Sequence, residues 1–206
     1  MKKILVLLLL VSTITLSAQR DEAYVASEIE KFSQSLEDRD INTYFYTQRF
    51  CSGSIEIIQL AEGRMCATKG TYIETYFFWE EEDTIMMKKI DNCGLFYSVE
   101  LEDRSLWNFI SSNWNSIKSS KVKNYETAQE SDGPTQRTEI HPCKRAFSFS
   151  DPETPISIQY DLFDLTNDAS QENIHYKSNN ELTIVKLDKM LDTIITKNQS
   201  KLRRQK

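Results

Sequence analysis

The apolar residues of the chain recur with two periods. Over 21–38, Val25, Ile29, Phe32 and Leu36 stand at i, i+4, i+7 and i+11, with Glu28, Glu30, Lys31 and Glu37 mostly elsewhere. That spacing predicts an amphipathic helix whose narrow stripe packs on a core. Between 44 and 101 the chain turns aromatic and β-branched and is cut by turn signals at Ser52-Gly53, Glu62-Gly63 and Lys69-Gly70, the pattern of an antiparallel meander. In the run 71–79, Ile73, Phe77 and Trp79 share one face, and Tyr72, Glu74, Tyr76 and Phe78 share the other. Both faces are mainly apolar, as in a central strand covered on both sides. The run 55–60 fits a strand or a short helix capped by Ser54, because six residues are too few to fix a period. Glu80 to Asp83 read as a solvated hairpin tip, followed by a strand over 84–90. After Asp91-Asn92-Cys93-Gly94, a half-exposed strand carries Leu95, Tyr97, Val99 and Leu101.

The helical period returns over 105–117 with Leu106, Phe109, Ile110, Trp114 and Ile117, Asp103 or Ser105 as cap, and Trp107 at the edge of the face. Such an aromatic stripe suits sugar or lipid, but at helical spacing it is read first as core. The polar stretch 118–137, with the turn Asp132-Gly133-Pro134, reads as a long loop or as the link between two lobes. Ala146, Phe147 and Phe149 predict a strand, Asp151-Pro152 a turn, and 156–165 a further strand with Ile156, Ile158, Tyr160 and Leu162 on one face. Leu182, Val185, Leu187, Leu191, Ile194 and Ile195 predict a closing helix. The fold class expected is α+β: an N-terminal helix, an antiparallel β-meander, a middle helix, further strands and a C-terminal helix.

Ahead of these elements lies a different pattern. Met1, Lys2 and Lys3 precede an unbroken apolar run over 4–11, and Ser17 and Ala18 follow a mixed stretch. This is the layout of a bacterial export signal, with cleavage after Ala18 leaving Gln19 as the new N-terminus. A spanning helix needs about 20 mostly apolar residues, whereas this run meets Ser12 and Thr13, so stable membrane insertion after cleavage is not expected. The division expected is therefore a cleaved signal peptide over 1–18, one domain over 19–196 and a basic tail over 197–206. The destination is the periplasm or the exterior.

With the two leader lysines set aside, 23 basic residues face 31 acidic ones, a formal charge of −8. Nucleic acid is thereby excluded as an expected partner, since phosphate binding needs a basic surface. The tail, with Lys197, Lys201, Arg203, Arg204 and Lys206, is read as a solvated, frayed end. Four cysteines in an exported chain predict two disulfides among Cys51, Cys66, Cys93 and Cys143. Of the three possible pairings, the one expected joins Cys51 to Cys66, closing a short loop around an apolar run, and Cys93 to Cys143, tying the middle sheet to the later segment. No C-x2-C pair exists, so His141 beside Cys143 does not make a zinc motif.

Candidate chemistry is sparse. The chain contains no G-x-S-x-G, phosphate-cradling glycine loop, H-E-x-x-H or dinucleotide fingerprint, and no cofactor or metal is expected. Ser120 and Lys123 match the minimal S-x-x-K of serine-lysine hydrolases without its companion motifs, while Glu74, Glu100, Asp161 and Asp164 are candidates for a carboxylate pair. A periplasmic or secreted hydrolase using these groups is the alternative. The leading expectation is a non-enzymatic protein that binds a protein partner or small-molecule ligand, with Tyr72, Glu74, Tyr76 and Phe78 as the candidate ligand surface.

Overall fold

The structure is a computed structural model that describes residues 21–60, 63–128, 133–150 and 155–205. The leader over 1–18 lies outside the described residues, as do parts of the turns read at 62, 132 and 151–152.

Helix α1 spans Glu22–Glu37, and the Asp21 carboxylate caps it by accepting from the Tyr24 amide at 3.2 Å. Strands β1 (Tyr44–Cys51), β4 (Ile73–Glu81), β5 (Thr84–Asp91), β10 (Cys143–Phe149) and β11 (Ile156–Asp161) build one antiparallel sheet in the order β11-β10-β1-β4-β5. Short strands β6 (Gly94–Leu95) and β7 (Val99–Leu101) pair with the outer side of β5. A second hairpin, β2 (Ile57–Gln59) with β3 (Met65–Ala67), stands off the sheet, so the run 55–60 contains a strand. Glu82 and Asp83 take φ of 48° and 62°, the two-residue turn that suits the twist of the β4–β5 hairpin. Only these two acids form the tip. Glu81 and Glu80 remain in β4, paired with Arg39 and Arg104.

Alternation along β4 sorts its side chains between two cores. Phe77 and Trp79 meet α1, whose Phe32 ring stands edge-on to both at 4.9 and 5.4 Å. Tyr76 and Phe78 face the opposite layer, made by α2 (Ser105–Lys118) and by α4 (Thr183–Asn198), which follows the short helix α3 (Tyr176–Glu181). There Leu106, Ile117, Leu187 and Leu191 are fully buried with Phe45, Phe147 and Met87. The sheet is thus packed between α1 on one face and α2 with α4 on the other, and β4 is buried on both sides.

Polar anchors explain the connections. Over 118–137 the chain makes the small hairpin β8 (Glu126–Thr127) with β9 (Thr135–Gln136), and buries Tyr125 completely, its ring stacked on Phe163 at 4.7 Å. The strands beyond this segment rejoin the same sheet, because β10 pairs with β1 along its full length. The strand read over 156–165 ends at Asp161 and passes into a 3-10 turn, Leu162–Leu165. That turn carries Asp164 inward, where its carboxylate accepts from the Tyr125 amide at 2.8 Å and its carbonyl from Asn179 at 2.9 Å.

The disulfides join Cys51 to Cys143 and Cys66 to Cys93, which corrects the expected pairing of Cys51 with Cys66 and Cys93 with Cys143. Strand register decides it. Cys51 and Cys143 stand directly opposite each other at the end of the β1–β10 ladder, and Cys66 ties the outlying hairpin to the turn after β5. The tail also departs from expectation. Leu202 is buried, Lys197 and Lys201 flank Glu102, the Tyr97 amide donates to the Arg203 carbonyl, and the Gln205 amide donates to the Leu95 carbonyl. The chain end is docked along β6 and the residues just after it.

Candidate ligand site

The first concave feature lies where β1 begins and β10 ends. Helix α2 crosses this end of the sheet and turns Trp107, Ile110 and Trp114, spaced i, i+3 and i+7, toward it. Phe45 and Phe149 complete the apolar wall. The Trp107 ring centre lies 5.9 Å from that of Phe45, and Trp114 meets Phe149 edge-on at 5.4 Å. Trp107, Ile110 and Trp114 are only half-buried, so the stripe read as core packs with one side and leaves the other open. The cleft has a volume of about 300 Å³, with Thr43, Ser111 and Ser150 as its polar rim. An apolar hollow with a few convergent hydroxyls is the usual form of a small-ligand site.

Ser150 fixes this rim. Its hydroxyl donates toward the Asn42 carbonyl at 2.9 Å and accepts from the Tyr44 amide at 2.9 Å, holding the β1 entrance to the β10 exit. Tyr44 donates to Glu37 at 3.1 Å, and burial, reinforced by that carboxylate, pushes its hydroxyl above the usual phenol range.

The residues picked out from the sequence go elsewhere. Phe78 and Tyr76 are core residues with 0 % and 2 % exposure, closed off by α2 and α4, which the strand's own alternation gives no means of placing. Tyr72 donates to Asp91 at 3.0 Å, and Glu74 is ion-paired with Lys89. Burial first, then Asp91, pushes the Tyr72 hydroxyl far up, and burial does the same to Tyr76. This face therefore holds a charge network. It continues through Arg49, which stacks on Tyr76 and reaches Asp188 and Asp192, to Arg145 and Tyr160 around Asp188.

The groups considered for hydrolysis are likewise separated. Ser120 is buried, donates to the Ser116 carbonyl at 2.7 Å and accepts from the Ile184 amide at 3.3 Å at the start of α4. Lys123 is exposed, and its backbone is held by Asn179. Asp161 pairs with Lys144 at 3.2 Å, Glu100 is exposed, and Asp164 is bound to Tyr125, with burial raising its carboxyl. His175 lies 3.1 Å from Glu126, and His141 packs beside Gly53. Among the described residues no group of three or more His, Cys, Asp or Glu is arranged to hold a metal, and no helix is long and apolar enough to cross a membrane. Comparison with known protein families, with curated proteins and with solved structures returns no match.

Sequence reasoning saw half of this site. The Trp107, Ile110 and Trp114 spacing is visible in the sequence, but the opposing wall comes from β1, roughly 60 to 70 residues earlier, and from β10, roughly 35 to 45 residues later. The pairing that assembles it leaves no local signal.

Proposed function

We propose that the chain is an exported, disulfide-stabilised binding protein of the periplasm or exterior, which holds an apolar group in the cleft between α2 and the β1–β10 end of the sheet. The observation that carries this reading is the half-open aromatic cleft itself: Trp107 and Trp114 pack on Phe45 and Phe149 with one side and leave the other to solvent. Two disulfides fit an oxidising compartment, and the leader over 1–18 fits the export route. The binding role rests on an apolar hollow with a hydroxyl rim.

The test uses N-phenyl-1-naphthylamine, a neutral apolar fluorophore, titrated against the mature protein. Its emission rises on entering the cleft and is lost in Ser111→Phe, where an exposed rim residue is enlarged to fill the hollow without touching the core. Equal emission with the two proteins, both showing the same melting transition, overturns the assignment.

A further inference from the structure

On the opposite face of the sheet, α1 packs over β1, β4 and β5, Ser157 and Gln159 of β11 are exposed among the described residues, and two clefts run beside the helix. One, of about 510 Å³, lies over Tyr46, Gln48 and Gln159; the other, of about 400 Å³, lies over Tyr46 and Ser148. They share Ser33 and Tyr46, and the second shares Tyr44, Phe149 and Ser150 with the aromatic cleft. The three hollows therefore lie side by side, from the aromatic cleft at the end of the sheet to the face along α1.

The helical wall of the two clefts is one stripe of α1: Glu22, Ala26, Glu30, Ser33 and Glu37, at i, i+4, i+8, i+11 and i+15. Ala26 and Ser33 are small and keep the groove open. Glu22 and Glu30 are exposed, and no Lys or Arg is among the described residues lining either cleft. Lys144, farther along the same face of β10, is already engaged by Asp161. The floor offers amide and hydroxyl groups, Gln48, Gln159, Ser148 and Tyr46, which can both donate and accept.

We propose that this groove takes an extended basic peptide segment of a partner protein, with a large apolar side chain of that segment seated in the Trp107–Trp114 cleft. Three features of the groove select it. The acidic wall complements Lys or Arg and rejects anionic ligands. The amide floor matches main-chain N–H and C=O groups. The stripe from Glu22 to Glu37 extends about 22 Å at the helical rise, the span of about seven extended residues. The proposal rests on the cleft reading above for its anchor, and adds the ligand's charge, polymer nature and path.

The experiment is fluorescence anisotropy with the full mature protein and fluorescein-labelled heptapeptides that carry leucine at one end and alternate lysine with serine, made in both directions. At least one direction binds, more weakly as salt rises, and the glutamate counterparts do not. The variant Glu22→Lys/Glu30→Lys changes two exposed positions and weakens lysine-peptide binding by about tenfold or more. It leaves N-phenyl-1-naphthylamine binding and the melting transition unchanged. Glutamate peptides that bind as well as lysine peptides, lysine peptides that fail to bind, or an unaltered affinity in the double variant overturn the groove assignment. Continued fluorophore binding in any of these cases leaves the cleft reading standing, whereas loss of both removes the two together.

Discussion

Arg204 forks across Asp91: its two terminal nitrogens lie 2.6 and 2.7 Å from the two oxygens of a carboxylate that has no exposed surface. The guanidinium also stacks 4.3 Å above the Phe96 ring, so the penultimate part of the chain closes a site within the sheet. A planar, always-charged group suits this geometry because it satisfies both oxygens at once. Asp91 also accepts from the Tyr72 hydroxyl and the Cys93 amide, and the Lys89 ammonium, which is shared with Glu74, stands 3.9 Å away, so Arg204 is the cation that closes on both of its oxygens.

Removing one member of a buried ion pair strands the other. Arg204→Ala is expected to lower unfolding free energy by about 3 kcal/mol, and Arg204→Met by nearly as much although it keeps packing on Phe96. Adding Asp91→Asn to Arg204→Met restores a large part of the loss. Urea unfolding of the three variants measures this, and an Arg204→Ala protein within about 0.5 kcal/mol of the parent contradicts the docked tail.

The same pair shows what can be read from a sequence and what cannot. Local period revealed α1, β4, α2 and α4, because each buries a face whose apolar residues repeat within a few positions, as Val25, Ile29 and Leu36 do. Arg204, by contrast, looks like any basic residue of a polar end until Asp91 is placed beside it, 113 residues away. The cysteines obey the same limit. Loop length favours neighbours, but the β1–β10 register sets Cys51 against Cys143. Trp107 and Trp114 were legible as a helical stripe, and their partly open side was not, since exposure depends on how far β1 and β10 reach beneath α2.

Cys66–Cys93 is the covalent tie between the β2–β3 hairpin and the main sheet. It spans 27 residues, for which the chain-entropy relation gives a stabilisation of about 3.5 kcal/mol. The hairpin's outer residues Ile57 and Met65 are exposed, so little burial replaces the lost tie. Cys66→Ala/Cys93→Ala should therefore lose stability of that order, with amide exchange at 57–59 and 65–67 speeding up beyond the global effect. Hydrogen-exchange mass spectrometry separates the two contributions, and unchanged protection of the hairpin relative to the sheet contradicts its dependence on the disulfide. Non-reducing peptide mapping independently checks the pairing.

Lys88 gives a prediction with a defined pH window. Its side chain points between the sheet and α1, 5.1 Å from the Phe32 ring centre, and donates to the Phe96 carbonyl at 2.5 Å. Among the described residues no carboxylate pairs with it, and burial brings its amine down to about 8 from 10.5. Between these values the unfolded chain binds more protons than the folded one, so this residue makes stability rise with pH from about 8 to 10.5 and imposes its full cost below 8. The cost is about 3 kcal/mol at neutral pH. Tyr72, Tyr76 and Tyr160, whose hydroxyls burial pushes up, act in the opposite sense once unfolded phenols ionise near pH 10. The effect is therefore read as the difference between the parent and Lys88→Met, which removes the charge and keeps an unbranched chain against Phe32. Urea unfolding should show Lys88→Met the more stable protein at pH 7, with its advantage shrinking toward pH 10. An advantage that stays constant over that range would mean that Lys88 keeps its proton throughout, and that the interior beside α1 solvates an ammonium far better than its aromatic lining allows.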